Sequence, residues 1–203
     1  MPGERPVMWW FKSRRGHTVV PVAIMAFTMM VMTFLDKVAF LPTLVGSSQV
    51  LLMLFAPLPL CAAVVTVMSS GTADVDLAAH RRMEALDSAL IVGITVIGIV
   101  IGYVIHAVLG SAAAASAGRN AALLVGVMLL AWPVLSQRSA ALPAAWVMAV
   151  VVFGRTPAGG YEWWTVLPEP PQHALANLSA FVLFVTGLLM TQHSRLRERN
   201  HGT

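Results

Sequence analysis

Fixed charge is scarce in this chain. Only 11% of its 203 residues are Asp, Glu, Lys or Arg, against 58% hydrophobic. A water-soluble domain of this size could not cover its surface with so little polarity. Cysteine occurs once, at Cys61 inside an apolar run. That excludes an intrachain disulfide and a cysteine-based metal cluster, and leaves a small packing residue. GxxxxGK[ST], HExxH and GxSxG are all absent. No Walker loop therefore cradles a nucleotide, and no zinc helix or nucleophile elbow is encoded. Ser111 and Ser116 have no His placed to activate them, so neither a cofactor nor a catalytic group is expected. The net charge of +4 comes without a basic and aromatic stripe, which argues against nucleic acid. The basic N-terminus precedes an apolar run, but no small-residue cleavage pattern follows, so no cleavable signal is expected.

What the chain has instead is long apolar runs. They cover Val19–Leu35, Val50–Met68, Ala89–Leu109, Ala121–Leu135, Ala140–Phe153 and Ala174–Met190. The expected fold is all-α, a polytopic membrane protein with six transmembrane helices and short interfacial helices. Residues 1–17 carry Trp9, Trp10 and Phe11 beside Lys12, Arg14 and Arg15 and suit a cytoplasmic interfacial anchor. Residues 18–191 form the transmembrane domain, and 192–203 a basic cytoplasmic tail. Pro57 and Pro59 are expected to kink or unwind the second span. Gly110–Gly118 reads as a small-residue loop. The short fourth and fifth runs, joined by SQRS with Arg138, predict a tight helical hairpin. Gly98 and Gly102 make a GxxxG step that lets another helix approach closely. Met25, Met29, Met30 and Met32 read as flexible packing, with an adaptable apolar surface as the alternative.

The one long polar interruption inside this apolar chain is TADVDLAAHRRMEALD, Thr72–Asp87. Thr72 can cap a helix with Asp74 and Asp76 near its positive end. Val75, Ala79, Met83 and Leu86 then share one face, and Asp76, His80, Glu84 and Asp87 another. This spacing predicts a short amphipathic helix lying along a membrane face, a handle for a partner protein. A second non-apolar segment, RTPAGGYEWWTVLPEPPQH (155–173), carries belt aromatics and three prolines that forbid a regular helix.

Orientation follows from the basic residues. Six spans put both termini on one side with Arg81, Arg82 and Arg138, ten Lys and Arg in all. The other side keeps three: Lys37, Arg119 and Arg155. The excess marks the cytoplasmic side, so both ends of a multi-pass plasma-membrane protein are expected to be cytoplasmic. The six runs contain no Asp, Glu, Lys or Arg, which weakens an ion-coupled carrier. Any uphill movement then needs a separate ATPase. His106, in the outer third of the third run, reads as a histidine hydrogen-bonded near the interface rather than a relay or metal ligand.

Three segments carry a family resemblance: MSSGTADVDLAAHRRMEALD between spans two and three, GRNAALLVGVMLLAWPVL opening span four, and YEWWTVLPEPPQHALANLSAFVLFVTGLL leading into span six. In layout the chain resembles the permease of ABC-2-type ABC transporters and the small six-span proteins that accompany ABC ATPases in high-GC Gram-positive bacteria. The resemblance implies an exporter subunit working as a homodimer or with a sister permease. It also implies an ATPase in trans docked on Val75–Leu86 through Asp76, His80, Arg81, Arg82 and Glu84. Tyr161–Pro171, with Trp163, Trp164 and Pro168, would form an outer, partly re-entrant gate. The alternatives are a non-transporting accessory, immunity or assembly protein, and an intramembrane enzyme using His106, Glu162, Glu169 and His173.

Overall fold

A computed structural model describes residues 16–35, 37–43, 46–70, 80–156, 160–162 and 164–201, with backbone alone at 40–43, 46–51, 80–84 and 195–201. Helix α1 (Gly16–Thr33) leads into a two-stranded antiparallel hairpin, β1 (Val38–Thr43) and β2 (Gly46–Leu51), with Val38 opposite Leu51 and Pro42 opposite Ser47. A 3-10 turn (Leu52–Phe55) and helix α2 (Leu58–Ser69) follow. Then come α3 (His80–Leu109), α4 (Ala112–Leu135), a second 3-10 turn (Ser136–Ala140), α5 (Ala141–Phe153) and α6 (Ala174–His201). Among the described residues, five helical segments are long and apolar enough to cross a membrane: Gly16–Thr33, Leu52–Ser69, Ala85–Leu109, Ala112–Phe153 and Ala174–Ser194.

The chain is therefore helical as expected, and four local features refine that expectation. The hairpin stands where a plain link was expected. Pro57 and Pro59 do not bend a continuous helix but break the Leu52–Ser69 segment, because α2 starts there: Pro57 is the N-cap and a proline sits in the first turn, where a missing N–H costs nothing. Gly110–Gly118 is not a loop. Gly110 takes φ +73° and ends α3, and α4 begins two residues later at Ala112. Four successive alanines propagate a helix at no side-chain entropy cost, so α4 reaches 24 residues rather than the short run read from Ala121. Finally, of the helix expected over 72–87, residues 72–79 lie outside the described residues, and residues 80–87 are continuous with α3. They form the first two turns of α3, which continues unbroken to Leu109.

Helix α4 is the centre of the bundle. Ala117–Gly126 is buried without interruption, the pattern of a helix surrounded by protein. On one side it packs antiparallel to α3. A Cβ on Gly102 would lie 2.6 Å from the Ala114 carbonyl oxygen, and one on Gly98 would lie 2.7 Å from Leu60 and 3.7 Å from the Ala121 Cβ. The GxxxG step thus serves packing inside the chain. On another side α4 runs parallel to α6. A Cβ on Gly126 would be 2.6 Å from the Leu183 carbonyl carbon, and one on Gly187 would be 2.7 Å from the Gly126 oxygen. Further along both helices, the Thr191 hydroxyl donates to the Leu129 carbonyl at 3.2 Å.

Because α4 and α6 run parallel, the chain between them has to return. The turn is made at Ser136, with φ +48°, and α5 carries the chain back until Gly154 packs on Thr165. One end of the bundle then holds the start of α3, the Ser136–Ala140 turn and the end of α6, where Gln192 donates to Ser88 Oγ at 3.2 Å. The other end holds Gly110, the first 3-10 turn and residues 160–162 and 164–173. Outward faces are apolar. Val22, Met25, Met29 and Met32 of α1 and Leu175, Leu178, Phe181 and Leu189 of α6 are exposed, which suits hydrocarbon rather than water.

Candidate functional site

Among the described residues, the polar chemistry concentrates where the 160–173 segment lies on the first turns of α4. Burial of Arg119 is nearly complete, at 5% exposure, and Asn120 beside it is at 2%. Arg119 Nη2 donates to the carbonyls of Glu169 (2.9 Å), Val166 (3.2 Å) and Leu167 (3.2 Å), and Nη1 to Pro170 (3.1 Å). Asn120 Oδ1 accepts from Arg119 Nη2 at 3.0 Å and Nε at 3.3 Å, while its Nδ2 donates to Leu167 at 2.8 Å. Ser116 Oγ adds a bond to the Glu169 carbonyl at 3.3 Å. A planar guanidinium with five fixed donors suits such a ring of acceptors. Prolines at 168, 170 and 171 leave this segment without a helical ladder, so its carbonyls are available to be gathered.

This corrects the expectation that the apolar segments are free of charge. Arg119 was assigned to an outer connection, yet it is a buried member of the longest apolar segment. Asp87, placed on a polar face, is 2% exposed within α3, at the opposite end of the bundle.

Beside the Arg119 ring lies a cavity of about 230 Å³ whose wall includes Met53, Leu54, Ala113, Ser116, Leu167 and Pro168. The 3-10 turn after β2 supplies one side, the alanine-rich start of α4 the second, and the proline segment the third. Other described residues of this segment make aromatic contacts. Arg155 lies 4.8 Å from the Tyr161 ring centroid and donates to its hydroxyl at 3.2 Å, and Trp164 meets Trp146 edge-on at 6.1 Å.

Of the residues singled out from sequence, Tyr161, Trp164 and Pro168 belong to this one segment, and Pro168 lines the cavity. Trp163 and Asp76 lie outside the described residues. His80, Arg81, Arg82 and Glu84 sit on the first turns of α3. Among the described residues, the acids and histidines at this end show one close pair and no cluster. His173 Nε2 is 3.9 Å from Glu169, both part-exposed, whereas His106 Nδ1 is buried with no hydrogen-bond partner among the described residues. The expected interfacial hydrogen bond is therefore not seen at Nδ1. No cluster of His, Cys, Asp and Glu among the described residues could hold a metal ion. Arg119 and Asn120 were missed as a pair; the usable signal was Gly-Ser followed by an alanine run, which marks a helix start upstream of them. No protein-family model, curated protein or solved structure matches the chain.

Proposed function

We propose that this chain is the membrane-spanning subunit of an exporter driven by a separate ATPase. That partner docks at the end of the bundle where α3 begins, and residues 160–171 act as the outer gate. The observation that carries it is polarity. The α3 start, with Arg81, Arg82 and Glu84 in its first turns, and the segment fastened by Arg119 lie at opposite ends of one bundle. A permease needs such a division between an energy-receiving end and a gated end. Counting α5 as a crossing of its own gives six spans, supported by the parallel course of α4 and α6. Arg81, Arg82, Arg138 and the basic end of α6 then group at one end, which the excess of positive charge marks as cytoplasmic. Arg119 does not reopen an ion-coupled mechanism, because its donors are taken by backbone carbonyls and Asn120. In an ABC-2-like assembly a second copy or a sister permease completes the pathway.

A second reading is a non-transporting accessory or assembly subunit. It is favoured by the unbroken burial of Ala117–Gly126 in α4 and by the internal use of Gly98 and Gly102, which spend these close-packing positions inside the chain. One experiment separates the two. Tagged protein and an R81A/R82A/E84A variant are purified from the native host. Loss of a copurifying ATPase with normal membrane insertion supports the exporter. An ATPase that stays bound removes the docking assignment, and no ATPase with either form favours the accessory.

A further inference from the structure

We propose that the cavity between the first 3-10 turn, the start of α4 and the 167–171 segment is a binding site for a hydrocarbon chain. This inference does not depend on the transport reading, since an accessory subunit would carry the same site.

Three observations lead to it. First, the cavity measures about 230 Å³; a protein cavity of about 150 Å³ lined by apolar side chains takes up benzene. The space here therefore suits a somewhat longer apolar group. Second, its side-chain polarity is already spent within the protein. Ser116 Oγ donates to Glu169 and both amide atoms of Asn120 are engaged by Arg119 and Leu167. A polar ligand would gain little from these side chains for the water it gave up, whereas an alkyl chain forfeits no hydrogen bond. Third, the shape is set by small and rigid groups. Ala112, Ala113 and Ala117 leave the room, and Pro168, Pro170 and Pro171 hold the opposite wall while Arg119 fastens it through the Pro170 and Glu169 carbonyls. A preformed apolar space on a helical bundle with apolar outer faces is the setting in which acyl chains bind.

The chain could belong to a bilayer lipid or to a free long-chain amphiphile, and the test has an arm for each. Full-length protein is reconstituted in phosphatidylglycerol vesicles carrying a diazirine at the acyl terminus, or in plain vesicles with diazirine-bearing dodecanol. After illumination, adducts are mapped by mass spectrometry. Adducts at 53–54, 112–117 and 167–171 in the first arm assign the lipid chain. Adducts there only in the second arm assign the free amphiphile. Ala113→Phe, which fills the cavity, is expected to lower labelling at these positions about tenfold while leaving adducts on the exposed faces of α1 and α6 unchanged. If Ala113→Phe fails to fold, Leu54→Ala serves instead, and its enlarged cavity is expected to raise labelling by a branched-chain diazirine alcohol. Adducts confined to the outer helix faces in both arms, or labelling unmoved by the folded cavity variant, overturn the site.

Discussion

Arg119 Nη2 donates to the main-chain carbonyl of Glu169 at 2.9 Å, while the Glu169 carboxylate lies 3.9 Å from His173 Nε2. The cation's hydrogen bonds run to main-chain dipoles, and the acid's charge acts on it only through space. Glu169→Gln is therefore expected to change stability in detergent by less than about 1 kcal/mol. Arg119→Lys keeps the charge but cannot reach four carbonyls and Asn120 from a single ammonium, and is expected to cost at least about 2 kcal/mol. Paired thermal melts decide it, and equal effects would refute the carbonyl ring.

Glycine substitutions should separate by what a methyl would meet. Gly93 has open space around its Cβ position, whereas at Gly102 and Gly126 the nearest atoms are backbone at 2.6 Å. Gly93→Ala is expected to be neutral or to stabilise by about 0.5–1 kcal/mol. Gly102→Ala and Gly126→Ala should each cost about 1–3 kcal/mol. A destabilised Gly93→Ala with an indifferent Gly126→Ala would contradict the observed helix contacts.

Trp146 Nε1 is buried without a hydrogen-bond partner among the described residues, although its ring meets Trp164 edge-on. Trp146→Phe keeps an aromatic edge contact and removes an unsatisfied donor. A cost below about 1 kcal/mol, or a gain, is expected from denaturation. A loss as large as that of Trp146→Ala would mean that the indole nitrogen is engaged.

The return of the chain at Ser136 can be read from labelling. Gln137 and Gln172 are exposed at the two ends of the bundle. In a Cys61→Ala background, Gln137→Cys and Gln172→Cys are expected to react with a membrane-impermeant maleimide from opposite sides of the membrane. Labelling of both from one side would reduce Ala112–Phe153 to something other than two crossings.

The apolar layout was legible because long runs of one chemistry leave few alternatives for a backbone that must satisfy itself in lipid. Helix ends were less so. SAAAASAG reads as a loop by its small residues, yet alanine has the highest helix propensity, and that swing moved Arg119 from a connection into the core. Pro57 and Pro59 predict a kinked or unwound span without deciding between the two, since proline is equally at home in a first turn. The hairpin was hidden by Pro42, which speaks against a strand interior. Asp87 looked solvated because periodicity assigns a face but not what covers it. The Arg119 ring was beyond the sequence altogether, since its acceptors are main-chain carbonyls that carry no residue signature.

One consequence concerns biogenesis. The four carbonyls that neutralise Arg119 are contributed by residues 47 to 51 positions further along the chain. Synthesis proceeds from the N-terminus, so α4 is delivered to the bilayer while its cation still lacks those acceptors, at a cost that such a group carries in lipid. Nascent chains arrested near residue 160 should be extracted from membranes by alkali more readily than chains arrested beyond residue 175. The late proline segment thus completes, after the fact, the insertion of a helix made long before it.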